Sequence, residues 1–385
     1  MSQLIHKAEL IRRVRRVVVK VGSAVLSDTA GIRADLVASL AGEIAALVKR
    51  GLEVILVTSG AIAAGRARLK LARAATISHR QAAAATGQIE LMALYAQKFS
   101  AHGIAVAQIL LSHQDLADRV RCNNARRTIE TLLASAIVPI VNENDTVATE
   151  EIRFGDNDRL SALVAGLMQA QMLVILSDVA GVLTGDPRSR PDVRLIPLIA
   201  EAESQMTGLV AEVGIQSAGP LGSGGMAAKL KAARQAARAG IAVIIASGRE
   251  ANTIAAALDS SQEIGTLITP AGTRLKSRKH WIAFALKPAG SLDVDRGAAE
   301  ALRKKGRSLL PSGIREVRGE FTGGDCVSLI DPDGVEFGRG LVNYAAPDVV
   351  KLKGRRTTEI STLLGYKVAD EIIHRDNFVL LEEIA

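Results

Sequence analysis

Two lysines stand in turns suited to receiving an anion. Lys20 ends a β-branched run and is followed by Val-Gly-Ser-Ala-Val25, which sets an ammonium beside backbone N–H groups that can approach a phosphate; a solvated lysine in an ordinary βα turn would read the same way. Lys229 closes Gly222-Ser-Gly-Gly-Met-Ala-Ala-Lys229, where Gly222, Gly224 and Gly225 leave amides uncovered and a helix beginning near Met226 adds its positive end. Neither segment is a Walker A loop or a G-x-G-x-x-G fingerprint. Val57-Thr-Ser-Gly-Ala-Ile-Ala-Ala-Gly65 adds a third turn, with Ser59 and Gly60 at the mouth of a helix, where a plain serine cap is the alternative. Polar residues crowd two further places, Val141-Asn-Glu-Asn-Asp-Thr-Val-Ala-Thr149 and Phe154-Gly-Asp-Asn-Asp158, while another strand ends in Leu176-Ser-Asp178. One such cluster would be unremarkable in a turn. Two of them, with Asp145 and Asp158 only thirteen residues apart, argue for a polar binding loop. Histidines 6, 79, 102, 113, 280 and 374 are scattered and read as structural or solvated, with no HExxH pair and no GxSxG elbow. Lysines on glycine-rich turns, acids at strand ends and no histidine base suit phosphoryl transfer, where catalysis is mainly positioning and charge neutralisation. A carboxylate acceptor, ionised at neutral pH, would attack without any base.

The elements that must hold these turns alternate short β-branched runs with longer Ala/Leu-rich stretches of helical period. Strands are expected at Val17–Val21, Val54–Thr58, Ala105–Leu110, Ile137–Val141, Met172–Leu176 and Ala242–Ala246, and helices at Arg33–Arg50, Arg80–Ala101, Asn123–Ala134, Asp158–Ala170 and Met226–Ala239. This order predicts an α/β fold: an open, mostly parallel sheet covered by helices on both faces, with ligands at the carboxyl ends of the strands. After about Gly265 the texture changes to a charged, turn-rich stretch and then to short strands at Trp281–Leu286, Asp325–Ile330, Val335–Val342 and Val349–Leu352. Two domains are expected, residues 1–265 and a small β-rich barrel over 279–385, with 266–278 as linker.

Composition narrows the function classes. Of the 385 residues 48% are hydrophobic but only 3% aromatic, so Ala, Val, Leu and Ile must build the core. Cys122 and Cys326 lie far apart in no metal-binding spacing, which excludes a disulfide scaffold and makes a reducing, cytoplasmic setting the expectation. The apolar stretch Leu160–Leu176 is broken by Gln169 and Gln171, and no export signal is expected at the N-terminus. The net charge of +8 hints at a polyanion, but the first twenty residues supply +5 of it, and the last 111 carry 18 basic against 16 acidic side chains.

Taken together, Lys20-Val-Gly-Ser, the Val57–Gly65 turn, Asn142-Glu-Asn-Asp, Gly155-Asp-Asn-Asp158 and the Gly222–Lys229 loop resemble the glutamate 5-kinase family, a branch of the amino acid kinases. Leu309-Leu-Pro-Ser-Gly-Ile314 and Gly338-Arg-Gly-Leu-Val342 are similar to the PUA domain that bacterial members commonly carry. The resemblance implies a three-layer αβα sandwich with a PUA-like barrel. It also implies ATP- and Mg2+-dependent phosphorylation of the glutamate side-chain carboxylate, the first step of proline synthesis. By position, Ser59, Asp145 and Asn157 would hold L-glutamate, with Asp145 meeting its α-ammonium. Lys20 and Lys229 would neutralise charge on the transferring phosphoryl group, and Asp158 would orient them. Lys20, Ser177, Asp178 and the run Ser223, Gly224, Gly225, Met226, Ala227, Ala228 and Lys229 would bind ATP, with no protein side chain assigned to the metal. Proline as feedback inhibitor and a homo-oligomer are implied as well. The alternatives are a kinase of the same fold for another carboxylate or phosphate, and, from a different class, an RNA-binding PUA protein. Ser177 and Ser223 replace the family's usual threonines and keep the hydroxyl, Ala24 offers only backbone to a phosphate, and no role is assigned to the basic N-terminal extension.

Overall fold

The computed structural model describes residues 3–28, 31–69, 76–147, 157–185, 192–199, 225–270, 279, 282 and 286–381. The chain divides into two compact units, Met1–Arg274 and Leu275–Ala385.

In the first unit, runs of Val, Ile and Leu form strands buried on both faces, as parallel sheets require. These are β1 (Arg16–Val21), β2 (Glu53–Val57), β3 (Val106–Leu111), β4 (Val138–Glu143), β5 (Met172–Ser177), β6 (Leu198–Ile199), β7 (Ala242–Ser247) and β8 (Thr266–Ile268), in the spatial order β3-β4-β2-β1-β5-β7-β8-β6. Every pairing is parallel except β7 with β8. Between the strands run α2 (Ala34–Lys49), α3 (Ala61–Leu69), α4 (Ile77–Ser100), α5 (His113–Ala117), α6 (Arg119–Ala134), α7 (Asn157–Leu167), α8 (Met226–Arg238) and α9 (Thr253–Ala257), after an N-terminal α1 (Gln3–Ile11). Val17, Val19 and Val21 bury into one core with Leu36, Leu40 and Ile44 of α2 and Leu91, Tyr95 and Phe99 of α4. Side chains alternate along a strand, so Lys20 points to the opposite face, where α7 begins. The register sets Lys20 beside Val57 of β2 and Ile175 of β5, so the turns after all three strands open at one edge of the sheet.

Glycines let α3 and α4 touch. A Cβ at Gly65 would stand 1.9 Å from the Ala83 carbonyl oxygen, and one at Gly87 1.9 Å from that of Ala61. This contact fixes the helix that starts behind Ser59 against the helix carrying Gln88.

Helix α1 gives the basic N-terminal extension a structural role. Its Gln3 side chain hydrogen-bonds Pro197, Ile264 and Gly265 carbonyls, and the fully buried Lys7 Nζ donates to the Ala256 and Gln262 oxygens at 2.6 Å each. The extension thereby clasps the edge strand β6 and its neighbour β8 at the residues that lead into them. Thr266–Ile268, expected to begin the linker, is β8 itself, because Leu267 and Ile268 are fully buried against β6 and β7.

The second unit holds a five-stranded sheet of β9 (Gly290–Val294), β10 (Ile314–Gly319), β11 (Cys326–Ile330), β12 (Glu336–Leu341) and β13 (Phe378–Leu380), ordered β10-β9-β11-β12-β13. Its core joins Leu292, Val327, Leu329, Phe337 and Phe378 to α10 (Arg296–Lys305) and α11 (Ala346–Leu352). Two expected strands fail here. Val349–Leu352 lies in α11: Ala346, Val349 and Leu352 are buried at three-residue spacing while Val350 is exposed, a helical rather than alternating pattern. In Trp281–Leu286, Ile282 is helical and Leu286 lies in no strand; the two are buried four residues apart, and the other four residues lie outside those described. Among the described residues no helix is long and apolar enough to cross a membrane.

Candidate functional site

The carboxyl ends of β1, β5 and β4 and the first turns of α7 and α8 bring the charged groups together. Asp158, in the first turn of α7 and 2% exposed, lies between two buried lysines. Its Oδ1 is 2.5 Å from Lys20 Nζ and its Oδ2 is 3.6 Å from Lys229 Nζ. Lys20 rises over the turn that follows it: a Cβ on Gly22 would approach its Nζ to 3.2 Å, so the absent side chain leaves the ammonium room. Burial pushes the Lys229 ammonium below its ordinary range; Asp158 opposes that shift, while Lys20 adds to it and Asp178 opposes it in turn. Two ammonium groups close enough to repel each other around one carboxylate suit a site whose remaining occupant is a polyanion. Losing either lysine would leave Asp158 buried with half its compensation.

Ser177 ends β5 and its hydroxyl lies 3.3 Å from Asp178 Oδ1, while its carbonyl accepts the Gly248 N–H at 2.7 Å. Gly225 caps α8, and Met226, Ala227 and Ala228 form the first turn ahead of Lys229. Helix α8 thus aims its positive end from the same side as Lys229. Ser223 and Gly224 lie outside the described residues.

A second group of predicted residues meets across β4. Asn157 Nδ2 donates to Ser59 Oγ at 3.0 Å, and Asn157 Oδ1 accepts the Glu143 N–H at 3.3 Å. The same N–H reaches Asn142 Oδ1 at 2.9 Å, and Asn142 Nδ2 donates to Gln88 Oε1 at 2.9 Å. Beside this chain opens a cavity of about 260 Å³ lined by Gln88, Gln108, Glu143, Asn144, Asp145 and Thr146 over an apolar wall that includes Ala61 and Ala84. Burial pushes the Asp145 carboxyl up to about 7, and the nearby Glu143 charge adds to the shift. Asp145 Oδ1 has no hydrogen-bond partner among the described residues, and Glu143 is itself buried, 3.7 Å from His113 Nδ1. Two carboxylates facing one cavity form a receptor for a small cation such as an ammonium.

Lys20, Asp158 and Lys229 therefore share one cluster, and Ser59 and Asn157 are linked to the Glu143 backbone, with Asp145 two residues further on lining the same cavity as Glu143. Sequence reasoning had not singled out Gln88, Glu143 or His113. Glu143 stood inside a quoted motif but without a role, and Gln88 is the one polar side chain buried on an alanine- and glycine-rich face of α4, a signal that periodicity alone offers.

The amino acid kinase family model matches residues 15–247, and the PUA domain model matches residues 290–364. A protein of Geobacter sp. (strain M21) named glutamate 5-kinase is 48% identical over 97% of this chain and all of its own length. One of the same name from Trichlorobacter lovleyi is 49% identical over 97% of this chain and 98% of its own. Among solved structures, a UMP kinase from Bacillus anthracis aligns with TM-score 0.45 at 17% identity, over 66% of this chain and 96% of that one. With the kinase model covering most of the first unit and such relatives matching almost end to end, the chain belongs to the amino acid kinase family, in its glutamate 5-kinase branch.

Proposed function

We propose that this chain transfers the γ-phosphoryl group of ATP to the side-chain carboxylate of L-glutamate, giving L-glutamyl 5-phosphate, the step that opens proline synthesis. Relatives named glutamate 5-kinase support the reading. The observation that carries it is the pair of buried lysines held by Asp158 at the mouth of β1.

In this reading Asp145, with Glu143 behind it, takes the α-ammonium of glutamate, while Ser59 and Asn157 fix the rest of the molecule. The side-chain carboxylate attacks already ionised, which is why no histidine is needed at the centre. Lys20 and Lys229 neutralise charge as it spreads over the transferring group, and Asp158 holds both ammonium groups in place before that charge arrives. Ser177, Asp178 and the run Ser223 to Lys229 bind the nucleotide. Bound magnesium would supply further neutralisation at the phosphates. We place that ion on the nucleotide phosphates and assign no protein side chain to it.

Proline shares the α-ammonium and α-carboxylate of glutamate, and we place its inhibitory binding in the same cavity; a homo-oligomer and a cytoplasmic setting complete the proposal. RNA binding by the second unit gains nothing from 18 basic against 16 acidic side chains. The test is an acceptor panel of glutamate, aspartate, N-acetylglutamate and UMP, with ADP release and hydroxylamine trapping of acyl phosphate, repeated with proline. Hydroxamate from glutamate alone is expected. ADP release with another acceptor, and none with glutamate, would replace the assignment.

A further inference from the structure

Amide side chains are ambiguous by shape, but here a backbone group removes the ambiguity. The Glu143 N–H can only donate, so the Asn142 atom that meets it at 2.9 Å is its oxygen. The Asn142 nitrogen then faces Gln88 at 2.9 Å, and Gln88 must accept with Oε1. Gln88 Nε2 is left as a donor in a side chain only 9% exposed, with no partner among the described residues. The same backbone N–H orients Asn157, whose nitrogen donates to Ser59 Oγ and leaves the Ser59 hydroxyl hydrogen to be given elsewhere.

The cavity is thus polarised. Glu143 and Asp145 line it as acceptors, whereas Gln88 is its buried amide donor; of the other two amides on the lining, Gln108 is exposed and Asn144 half-buried. A buried donor without a partner carries a desolvation penalty that a ligand acceptor would relieve.

We propose that Gln88 is a specificity-determining residue: its Nε2 donates to the α-carboxylate of the bound amino acid, opposite the carboxylates that take the ammonium. The assignment rests on the reading of this cavity as the glutamate site. It makes α4, through Gln88 and the Gly65/Gly87 contact with α3, a direct reader of the substrate rather than a covering helix.

The substitution that isolates the donor is Gln88→Glu, which keeps an oxygen to accept from Asn142 Nδ2 and replaces only Nε2. The probes are L-glutamate and its α-amide, L-isoglutamine, which keeps the phosphorylatable side-chain carboxylate but offers an amide where glutamate offers the α-carboxylate. Hydroxamate formation gives kcat/KM for each. Wild-type protein should favour glutamate, and Gln88→Glu should reduce that ratio at least tenfold, chiefly through KM, because the new carboxylate repels the α-carboxylate and accepts from the amide. A ratio unchanged in Gln88→Glu, alongside hydroxamate formation from glutamate by the wild type, overturns the assignment of Gln88 alone. Failure of the wild type to form hydroxamate from glutamate overturns the assignment together with the functional reading beneath it. If Gln88→Glu does not fold, Gln88→Met is read in the same ratio: a tenfold fall supports the donor, and no change overturns it.

Discussion

Lowering the pH from 8 to 6 should weaken glutamate binding about tenfold through a single buried carboxyl group. Asp145 is driven up to about 7 by burial, with Glu143 on the same strand end adding to the shift. With that value, roughly nine in ten copies are ionised at pH 8 and roughly one in ten at pH 6. An α-ammonium needs the ionised form, so KM for glutamate should rise about tenfold across this window while kcat at saturation changes little. Titration calorimetry in two buffers of different ionisation enthalpy should show close to one proton released on binding at pH 6 and almost none at pH 8. Glu143 supplies the charge that adds to the Asp145 shift, and His113 Nδ1 lies 3.7 Å from Glu143. The variant His113→Gln therefore serves as a control and should keep the pH dependence, whereas Asp145→Asn should abolish it together with most glutamate affinity. The same shift has a stability cost. A carboxyl whose folded pKa lies above its unfolded value makes the folded state hold the proton longer, so stability falls as pH rises from about 4 to about 7. Three pKa units correspond to at most about 4 kcal/mol. Asp145→Asn should accordingly melt higher than the wild type at pH 8. A KM flat between pH 6 and 8, or an Asp145→Asn variant that melts lower at pH 8, would refute the reasoning.

Lys20→Met or Lys229→Met should lower kcat by about 10² to 10³ with little change in KM for glutamate, since in the proposed mechanism both ammonium groups act on charge that develops during transfer. Equal effects on both parameters in steady-state assays would contradict that division. Gly65→Ala places a methyl where the Ala83 carbonyl stands 1.9 Å away, so α3 and α4 must part; a loss of several kcal/mol, read by denaturant unfolding, is expected, and a neutral effect would contradict the close contact. Burial lowers the Lys7 ammonium to about 8, despite the opposing charges of Asp259 and Glu263. The unfolded chain therefore binds more protons between about pH 8 and 10, so this lysine makes stability rise with pH there. Lys7→Met should remove that slope in melting curves, and an unchanged slope would show that the group titrates normally.

Residues whose position depends on a local turn were the legible ones. Lys20, Ser59 and Asp178 each follow a continuous Val/Ile/Leu run, and the register of β1 with β2 and β5 guarantees that such strand ends converge. Asp158 was visible as an acid opening a helix, though its bridging of two lysines needed the fold. The hydrogen-bond partners of Gln88 and Lys7 could not be read at all, because they lie 54 residues away for Gln88 and about 250 for Lys7, and neither sits in a motif. The misread Val349–Leu352 shows the complementary failure: a β-branched pair suggests a strand until burial reveals a three-residue period set by Ala346 and Leu352. Gly290–Val294 was missed for the opposite reason, since glycine, serine and aspartate conceal a strand whose Leu292 and Val294 alone are buried.

The central claim is that the side-chain carboxylate of glutamate itself attacks the phosphoryl group poised at Lys20, Asp158 and Lys229. Glutamate labelled with 18O in that carboxylate tests it directly when hydroxylamine traps the product. Hydroxylamine attacks the acyl carbon and expels phosphate with the bridging oxygen. The expected result is one 18O in each phosphate released, matched by one hydroxamate. Unlabelled phosphate from a turning-over enzyme would mean that water, and not glutamate, is the acceptor.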